Sequence, residues 1–214
     1  MTRPVFQPRT LNPSVLDQAQ QMGLDPLLAR IIAGRIQGES FNLDGIVQPA
    51  LKHIPPPALL KDCQKAAVRI AGAIISGERI GLLTDYDVDG ITSHVVLYRA
   101  LTELFGVPPE KIHSLIGHRI NDGYGVSAGL ISRVLEQETL PEVIITADCG
   151  SNSHEAVQRA AAFGIDVVIT DHHRITPPYP PAVAVVNPKR DDCPSGLSYL
   201  AGVGVVFYVV ILLR

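Results

Sequence analysis

The sequence is poor in cysteine and in charge. Its 214 residues include three scattered cysteines, Cys63, Cys149 and Cys193, with no CxxC pair. This cysteine usage is typical of a reduced compartment, so the sequence predicts a cytoplasmic protein. Charged residues make up 18% of the chain, and the formal net charge is -3. No overall basic excess indicates a nucleic-acid partner, although a local basic groove would be sufficient for one.

The sequence also lacks a segment of membrane-spanning length. The first ten residues, "MTRPVFQPRT", contain no apolar core of a secretory signal. The stretch "LAGVGVVFYVVILL" is uncharged over 14 residues, whereas a membrane helix needs about 20. A buried helix is therefore favoured over a membrane anchor, and we expect no membrane partner. A buried helix there needs more protein to cover it, so we expect the chain to be part of a longer one.

Two regions with different patterns follow one another along the chain. The first is helical, with helix starts at Asn12-Pro13 and Asp25-Pro26 and a further helix over about residues 58–76, and it carries no catalytic pattern. From residue 79, apolar strands alternate with helices, the strands being "RIGLLTD", "KIHSLIG", "EVIITAD", "DVVITD" and "AVAVVN". This alternation predicts an α/β domain over residues 77–214, after a helical region over residues 1–76. The domain should be a parallel β-sheet with helices on both faces.

Acidic residues and histidines follow several of these strands directly. They are Asp85, Asp87 and Asp89 after the first strand, Asp148 after the third, and Asp171, His172 and His173 after the fourth. In open parallel sheets, ligands bind beyond the carboxyl ends of the strands. These side chains are therefore expected to converge at one edge of the sheet.

Each of these residues also has a simple structural explanation. An aspartate after a strand often caps the next helix, Asp171 could bond backbone amides in a loop, and adjacent histidines are common in solvated turns. Together, however, carboxylates from several strand ends repel one another, and a divalent cation relieves that repulsion. A ligand set of carboxylate and imidazole without thiolate suits Mn²⁺ or Mg²⁺.

The spacing of the first three aspartates favours two ions. In an extended chain, Asp87 and Asp89 would lie roughly 6–7 Å apart on one face. Such a pair can serve two ions about 3.5–4 Å apart, with Asp148 from a neighbouring strand as the bridge. Two metals at that spacing suit in-line displacement at phosphorus.

The motifs "TDYDVDGITS", "ITADCGSNSHEAV", "VVITDHHRI" and "VVNPKRDDC" together resemble the DHH phosphoesterase superfamily in order and spacing. Within it, "HRINDGYGVS" and "LAGVGVVFYVV" are similar to the RecJ branch, the single-strand-specific 5′→3′ DNA exonucleases. The resemblance covers about residues 25 to 214. It implies a metal-dependent nuclease that releases 5′-mononucleotides from single-stranded DNA during repair or recombination.

The resemblance also implies roles for individual residues. Asp87, Asp89 and His172 would bind the metal ions, and Asp148 would bridge them. Asp85 would either bind an ion directly or contact the residues that do. His173 would lie near the scissile phosphate and assist catalysis. Arg119 would lie near the substrate backbone.

The sequence departs from the superfamily pattern in two ways. Leu83 stands where many members have a histidine, and the chain ends before a further metal-binding aspartate, a second domain and an OB-fold. The chain is therefore expected to be the N-terminal part of a RecJ-type enzyme. Two alternatives stay open: a relative that hydrolyses short RNA, cyclic dinucleotides or pyrophosphate, and a catalytically inactive DHH domain used for binding.

Overall fold

The structure, a computed structural model, describes residues 7–38, 40–48, 50–118, 120, 122 and 125–214. Contacts divide the chain into two units, Met1–Ile54 and Pro55–Arg214. The domain boundary expected between residues 76 and 77 stays a prediction. The three cysteines are free thiols. Within the described ranges, no helix combines the length and the apolarity needed to cross a bilayer.

The first unit consists of short helices whose starts follow the sequence signals. The Asn12 side chain accepts a hydrogen bond from the Val15 amide, and the Asp25 side chain accepts from the first turn of the next helix, so both predicted starts are confirmed. The helices are α1 (Pro13–Gln21), α2 (Pro26–Ala33) and α3 (Leu43–Val47). Their shared core contains Val15, Ala19, Ala29, Ala33 and Leu43.

The second unit is built around a five-stranded sheet in which every neighbouring pair is parallel, as the sequence predicted. Its strands are β1 (Ile80–Thr84), β2 (Ile112–Ile116), β3 (Val143–Ala147), β4 (Asp166–Thr170) and β5 (Ala184–Val186). Its helices are α4 (Cys63–Ser76), α5 (Val88–Arg99), α6 (Ala128–Leu135), α7 (His154–Ala162) and α8 (Gly202–Leu213). Every residue of β1 and β3 is buried, which explains why these strands are continuous apolar runs rather than alternating ones.

Helices cover both faces of this sheet. Helices α6 and α7 pack in one apolar cluster with strand residues such as Leu83, Ile144 and Ile169. Helix α8 contacts both α4 and α5, and all three of these helices also contact strands. The apolar area removed from water on both faces provides the main stabilisation of the sheet.

The strand order places the carboxyl ends of β1 and β3 side by side. The order is β2-β1-β3-β4-β5, so the chain leaves β1 toward one edge of the sheet and returns on the other side at β3. Ligands of doubly wound sheets bind at such a reversal point, outside the carboxyl ends of the strands. Asp85 directly follows β1 and Asp148 directly follows β3.

A buried arginine joins the loop after β5 to the start of α4. The Arg190 guanidinium donates to Asp62 at 2.7 Å, to the Val185 carbonyl at 2.7 Å and to both carboxylate oxygens of Asp192 at 2.8 Å. It also lies 4.4 Å from the centre of the Tyr179 ring. The Arg190 side chain is only 7% exposed and that of Asp62 only 15%. Removing Arg190 would leave the Asp62 carboxylate poorly solvated, with the distant Lys65 at 4.0 Å as its remaining cation among the described residues.

We therefore expect Arg190→Met to lower the free energy of unfolding by about 3 kcal/mol, the cost of breaking a buried ion pair on one side. Urea unfolding followed by circular dichroism measures this change. Arg99→Met is the matched control, because Arg99 pairs with Glu103 on an exposed helix surface and its loss should leave the midpoint almost unchanged. Equal midpoints for the two variants would contradict the role given to Arg190.

Candidate metal centre

The first acidic motif lies at the turn from β1 into α5. Asp87 caps the helix, its Oδ1 accepting a hydrogen bond from the Gly90 amide at 2.9 Å. Helix α5 therefore begins at Val88. A Cβ at Gly90 would lie 2.3 Å from the Asp85 carbonyl oxygen, so this turn requires glycine.

This turn corrects the extended geometry expected for Asp87 and Asp89. Asp87 precedes the helix, whereas Asp89 lies within its first turn. The two carboxylates therefore do not lie side by side along an extended strand, because the backbone winds into α5 between them. The helix-cap explanation of Asp87 is confirmed, and it leaves the second oxygen of that carboxylate available.

Asp148, directly after β3, is a buried carboxyl group. Its side chain is 1% exposed, its backbone has a positive φ of 60°, and neither carboxylate oxygen accepts a hydrogen bond from the described residues. Burial, followed by repulsion from Asp89 and Asp87, raises the pKa of Asp148 to about 8. A buried carboxylate without donors is costly unless a positive charge is bound to it.

Asp171 is an anchor for the loop after β4. Its carboxylate accepts hydrogen bonds from the backbone amides of Ser151, His172 and His173 and from the His173 ring. Burial alone would raise the pKa of Asp171, but these hydrogen bonds, led by that from His173, outweigh burial and lower it. The backbone-bonding explanation given to Asp171 from the sequence is therefore confirmed.

The two histidines present ring nitrogens to Asp148 in different ways. The Nδ1 atom of His172 lies 3.0 Å from the Leu200 carbonyl oxygen. Because a carbonyl only accepts, Nδ1 carries a proton, and Nε2 is the ring nitrogen whose lone pair can bind a metal. That Nε2 lies 3.2 Å from Asp148 Oδ1 and 3.5 Å from Asp89 Oδ2. A histidine oriented through its second nitrogen in this way is typical of metal ligands.

His173 is held by Asp171. Its Nδ1 donates to Asp171 Oδ1 at 2.8 Å and lies 4.0 Å from Asp148 Oδ1. The hydrogen bond to Asp171 is the main reason why the pKa of His173 is raised. His173 is therefore a candidate proton donor or positive group beside the Asp148 carboxylate.

The structure brings together six of the seven residues expected at the site, and Arg119 lies outside the described residues. One group of possible ligand atoms, all within 4.8 Å of one another, comes from Asp85, Asp87 and Asp148. A second such group comes from Asp148, His172 and His173. Asp148 belongs to both groups. Its oxygens without donors and the oxygen and imidazole atoms around them fit Mn²⁺ or Mg²⁺.

The first turn of α8, which the sequence did not link to this site, closes it on one side. Both Asp89 oxygens accept hydrogen bonds from this turn, from the Gly202 amide at 2.7 Å and the Val203 amide at 2.8 Å. A Cβ at Gly202 would lie 2.5 Å from Asp148 Oδ1, so glycine allows the helix to rest directly on Asp148. The Gly-x-Gly spacing of "AGVGVV" was the available sequence signal.

We expect Gly202→Ala to weaken Mn²⁺ binding by about 10- to 100-fold, the usual effect of disturbing groups that orient metal ligands. The new Cβ must displace either α8 or the Asp148 carboxylate. Gly204→Ala is the matched control, since the atoms nearest its Cβ would all belong to the Leu200 side chain, from Cδ2 at 3.1 Å. Titration calorimetry measures both affinities, and thermal unfolding shows whether both variants fold. Equal affinities would refute the packing argument.

Comparison with known proteins gives consistent similarities. The chain is 35% identical over 191 residues to the single-stranded-DNA-specific exonuclease RecJ of Escherichia coli, covering 89% of this chain and 32% of that protein. It is 31% identical over 188 residues to the protein of the same name from Bacillus subtilis, covering 88% of this chain and 23% of that one. The chain therefore spans about a quarter to a third of the length of these relatives.

A solved structure, of exonuclease RecJ bound to manganese, superposes with a TM-score of 0.63 at 32% identity, over 72% of this chain and 37% of the other. Residues 79–213 match the DHH family, N-terminal domain. This match includes every described residue of the two candidate ligand groups. The chain belongs to the DHH family.

Proposed function

We propose that the chain is the N-terminal part of a metal-dependent phosphodiesterase that degrades single-stranded DNA from the 5′ end. The observation that carries this proposal is the position of Asp148, a buried carboxylate without hydrogen-bond donors among the described residues and shared by two groups of possible ligands. The similarity to exonucleases named for single-stranded DNA supports the substrate class. The direction of digestion follows from the RecJ resemblance alone.

Two Mn²⁺ or Mg²⁺ ions would supply activation of a water molecule and stabilisation of the charge that develops at phosphorus. Asp85, Asp87 and Asp148 would hold one ion, and Asp148, Asp89 and His172 the other. The Leu200 carbonyl fixes the His172 ring so that its Nε2 lone pair faces Asp148. The Asp89 oxygens can bind an ion while they also accept the α8 amides, since each oxygen has two lone pairs.

His173 would act on the substrate rather than on the ions. In the reaction, a water oxygen bonds to phosphorus, the bond to the sugar 3′-oxygen breaks, and the departing oxygen takes up a proton. The hydrogen bond to Asp171 favours the protonated ring, which can stabilise the phosphate charge or donate that proton. Arg119, which lies outside the described residues, is proposed to contact the substrate backbone.

Asp148→Asn tests the proposal directly. We expect the wild-type chain with Mn²⁺ to shorten 5′-labelled single-stranded DNA, and the variant to do so at least about 100-fold more slowly, because a ligand should matter no less than the groups that orient ligands. Asp17→Asn, on the exposed side of α1, is the control for loss of one negative charge. Equal rates for the wild type and Asp148→Asn would exclude this metal centre.

The same assay separates the alternatives. Faster cleavage of short RNA or a cyclic dinucleotide than of DNA would favour the alternative relative, which hydrolyses short RNA, cyclic dinucleotides or pyrophosphate. Metal binding without cleavage of any of these substrates would favour a binding domain.

We expect His173→Asn to separate metal binding from turnover. The variant should bind Mn²⁺ within a few-fold of wild type, because the proposed ions are held by other side chains. Its cleavage rate should fall by about 10²- to 10⁴-fold, the usual contribution of a positioned acid or base. His172→Asn, by comparison, should lower Mn²⁺ affinity itself. If both histidine variants lose metal equally, His173 is a ligand and not a substrate contact.

A further inference from the structure

The first unit contains a pocket of about 400 Å³ with three arginines in its wall. The described residues that line it are Pro8, Arg9, Leu11, Leu27, Arg30, Ile31, Gly34 and Arg35. They come from the segment before α1, from the exposed side of α2 and from the residues directly after α2. We call this site the arginine pocket.

Backbone contacts hold the two walls of the arginine pocket together. The Asn12 amide donates to the Ala33 carbonyl at 2.9 Å, and Arg9 Nη1 lies 3.4 Å from the Gly34 carbonyl oxygen. Gly34 is buried, and a Cβ there would lie 3.5 Å from Leu11 Cδ2. The segment that carries Arg9 is therefore fixed against the end of α2, which carries Arg30.

The positive charges of the arginine pocket have no acidic partners among the described residues. Five arginines of the second unit, in contrast, each form an ion pair with a carboxylate: Arg69, Arg79, Arg99, Arg133 and Arg190. Arg159, Arg174 and Arg214 form none among the described residues, but they do not line a common pocket with one another. Gathering like charges around one pocket costs electrostatic energy that a bound anion would offset. The pocket also exposes apolar surface, with Leu27 67% and Ile31 43% exposed.

We propose that the arginine pocket binds the phosphate backbone of single-stranded DNA, with Leu27 and Ile31 contacting a sugar or base. The planar guanidinium group matches phosphate oxygens in pairs and is the preferred cation for such contacts. A mixed pocket of positive and apolar groups suits a single strand, in which sugars and unpaired bases are accessible next to the phosphates. This inference rests on the proposed function, because it adds a second contact for the same substrate.

The test compares strand binding by two variants of the full chain that lose equal charge. One carries Arg9→Gln, Arg30→Gln and Arg35→Gln, and the control carries Lys65→Gln, Arg99→Gln and Arg159→Gln, all at exposed positions of the second unit. Fluorescence anisotropy with labelled oligothymidylate is measured in EDTA, so that no strand is cleaved, over a range of salt concentrations. Circular dichroism shows whether both variants keep their helices.

We expect the pocket variant to bind the strand about tenfold or more weakly, and its slope of log affinity against log salt to fall by about 2, since each phosphate contact on a single strand contributes about 0.7. The control should stay close to wild type. Equal affinities for the two variants, or no strand binding by the wild-type chain, would overturn the proposal. Tighter binding of an acidic peptide than of the strand by the wild type, lost in the pocket variant, would also overturn it.

The proposed function is judged separately, by Mn²⁺-dependent cleavage. A wild-type chain that cleaves DNA, together with a pocket variant that keeps its strand affinity, would refute only the arginine pocket. A chain that binds the strand through this pocket but cleaves nothing would refute only the nuclease. The two failures are therefore distinguishable in the same preparation.

Discussion

The mutual repulsion of the carboxylates around Asp148 is the constraint on which the second unit depends. Asp148 is buried without hydrogen-bond donors among the described residues, and the repulsion from Asp87 and Asp89 adds to the effect of burial on its pKa. The burial of β1 and β3 places Asp148 in the interior, because the residue that follows a buried strand cannot move to the surface without disrupting the strand. The favourable burial of the sheet thus offsets an electrostatic cost concentrated at one edge.

Much of this arrangement could be predicted from the sequence, because β1 and β3 are fully buried, largely apolar runs and acidic residues follow them directly. The carboxyl ends of parallel strands share one edge of the sheet. A parallel sheet is therefore enough to predict that Asp85 and Asp148 lie at the same edge, without coordinates. The contact of Asp89 with Gly202 could not be found in this way. It joins residues 113 positions apart, and no periodicity connects the start of one helix with the start of another.

Structural and functional explanations of the same residue are compatible at this site. Asp87 caps α5 and also lies in a group of possible ligands, because a carboxylate has more lone pairs than one cap uses. Asp171 accepts hydrogen bonds from the Ser151 amide, in the loop after β3, and from its neighbours His172 and His173, and it contributes by fixing the His173 ring. A sequence motif that contains three adjacent polar residues can therefore combine one anchor with two groups that face the centre.

The two proposals assign opposite charges to the two units of the chain, carboxylates to the second and arginines to the first. Carboxylates that gather dications bind one phosphate at the point of cleavage, but they give no hold on the rest of a strand. With a formal net charge of -3, the surface as a whole repels nucleic acid. Electrostatic binding of a strand would therefore require a local group of cations. The arginine pocket is such a group. Under the two proposals it would make strand affinity depend on salt, whereas the metal centre would determine the rate of cleavage.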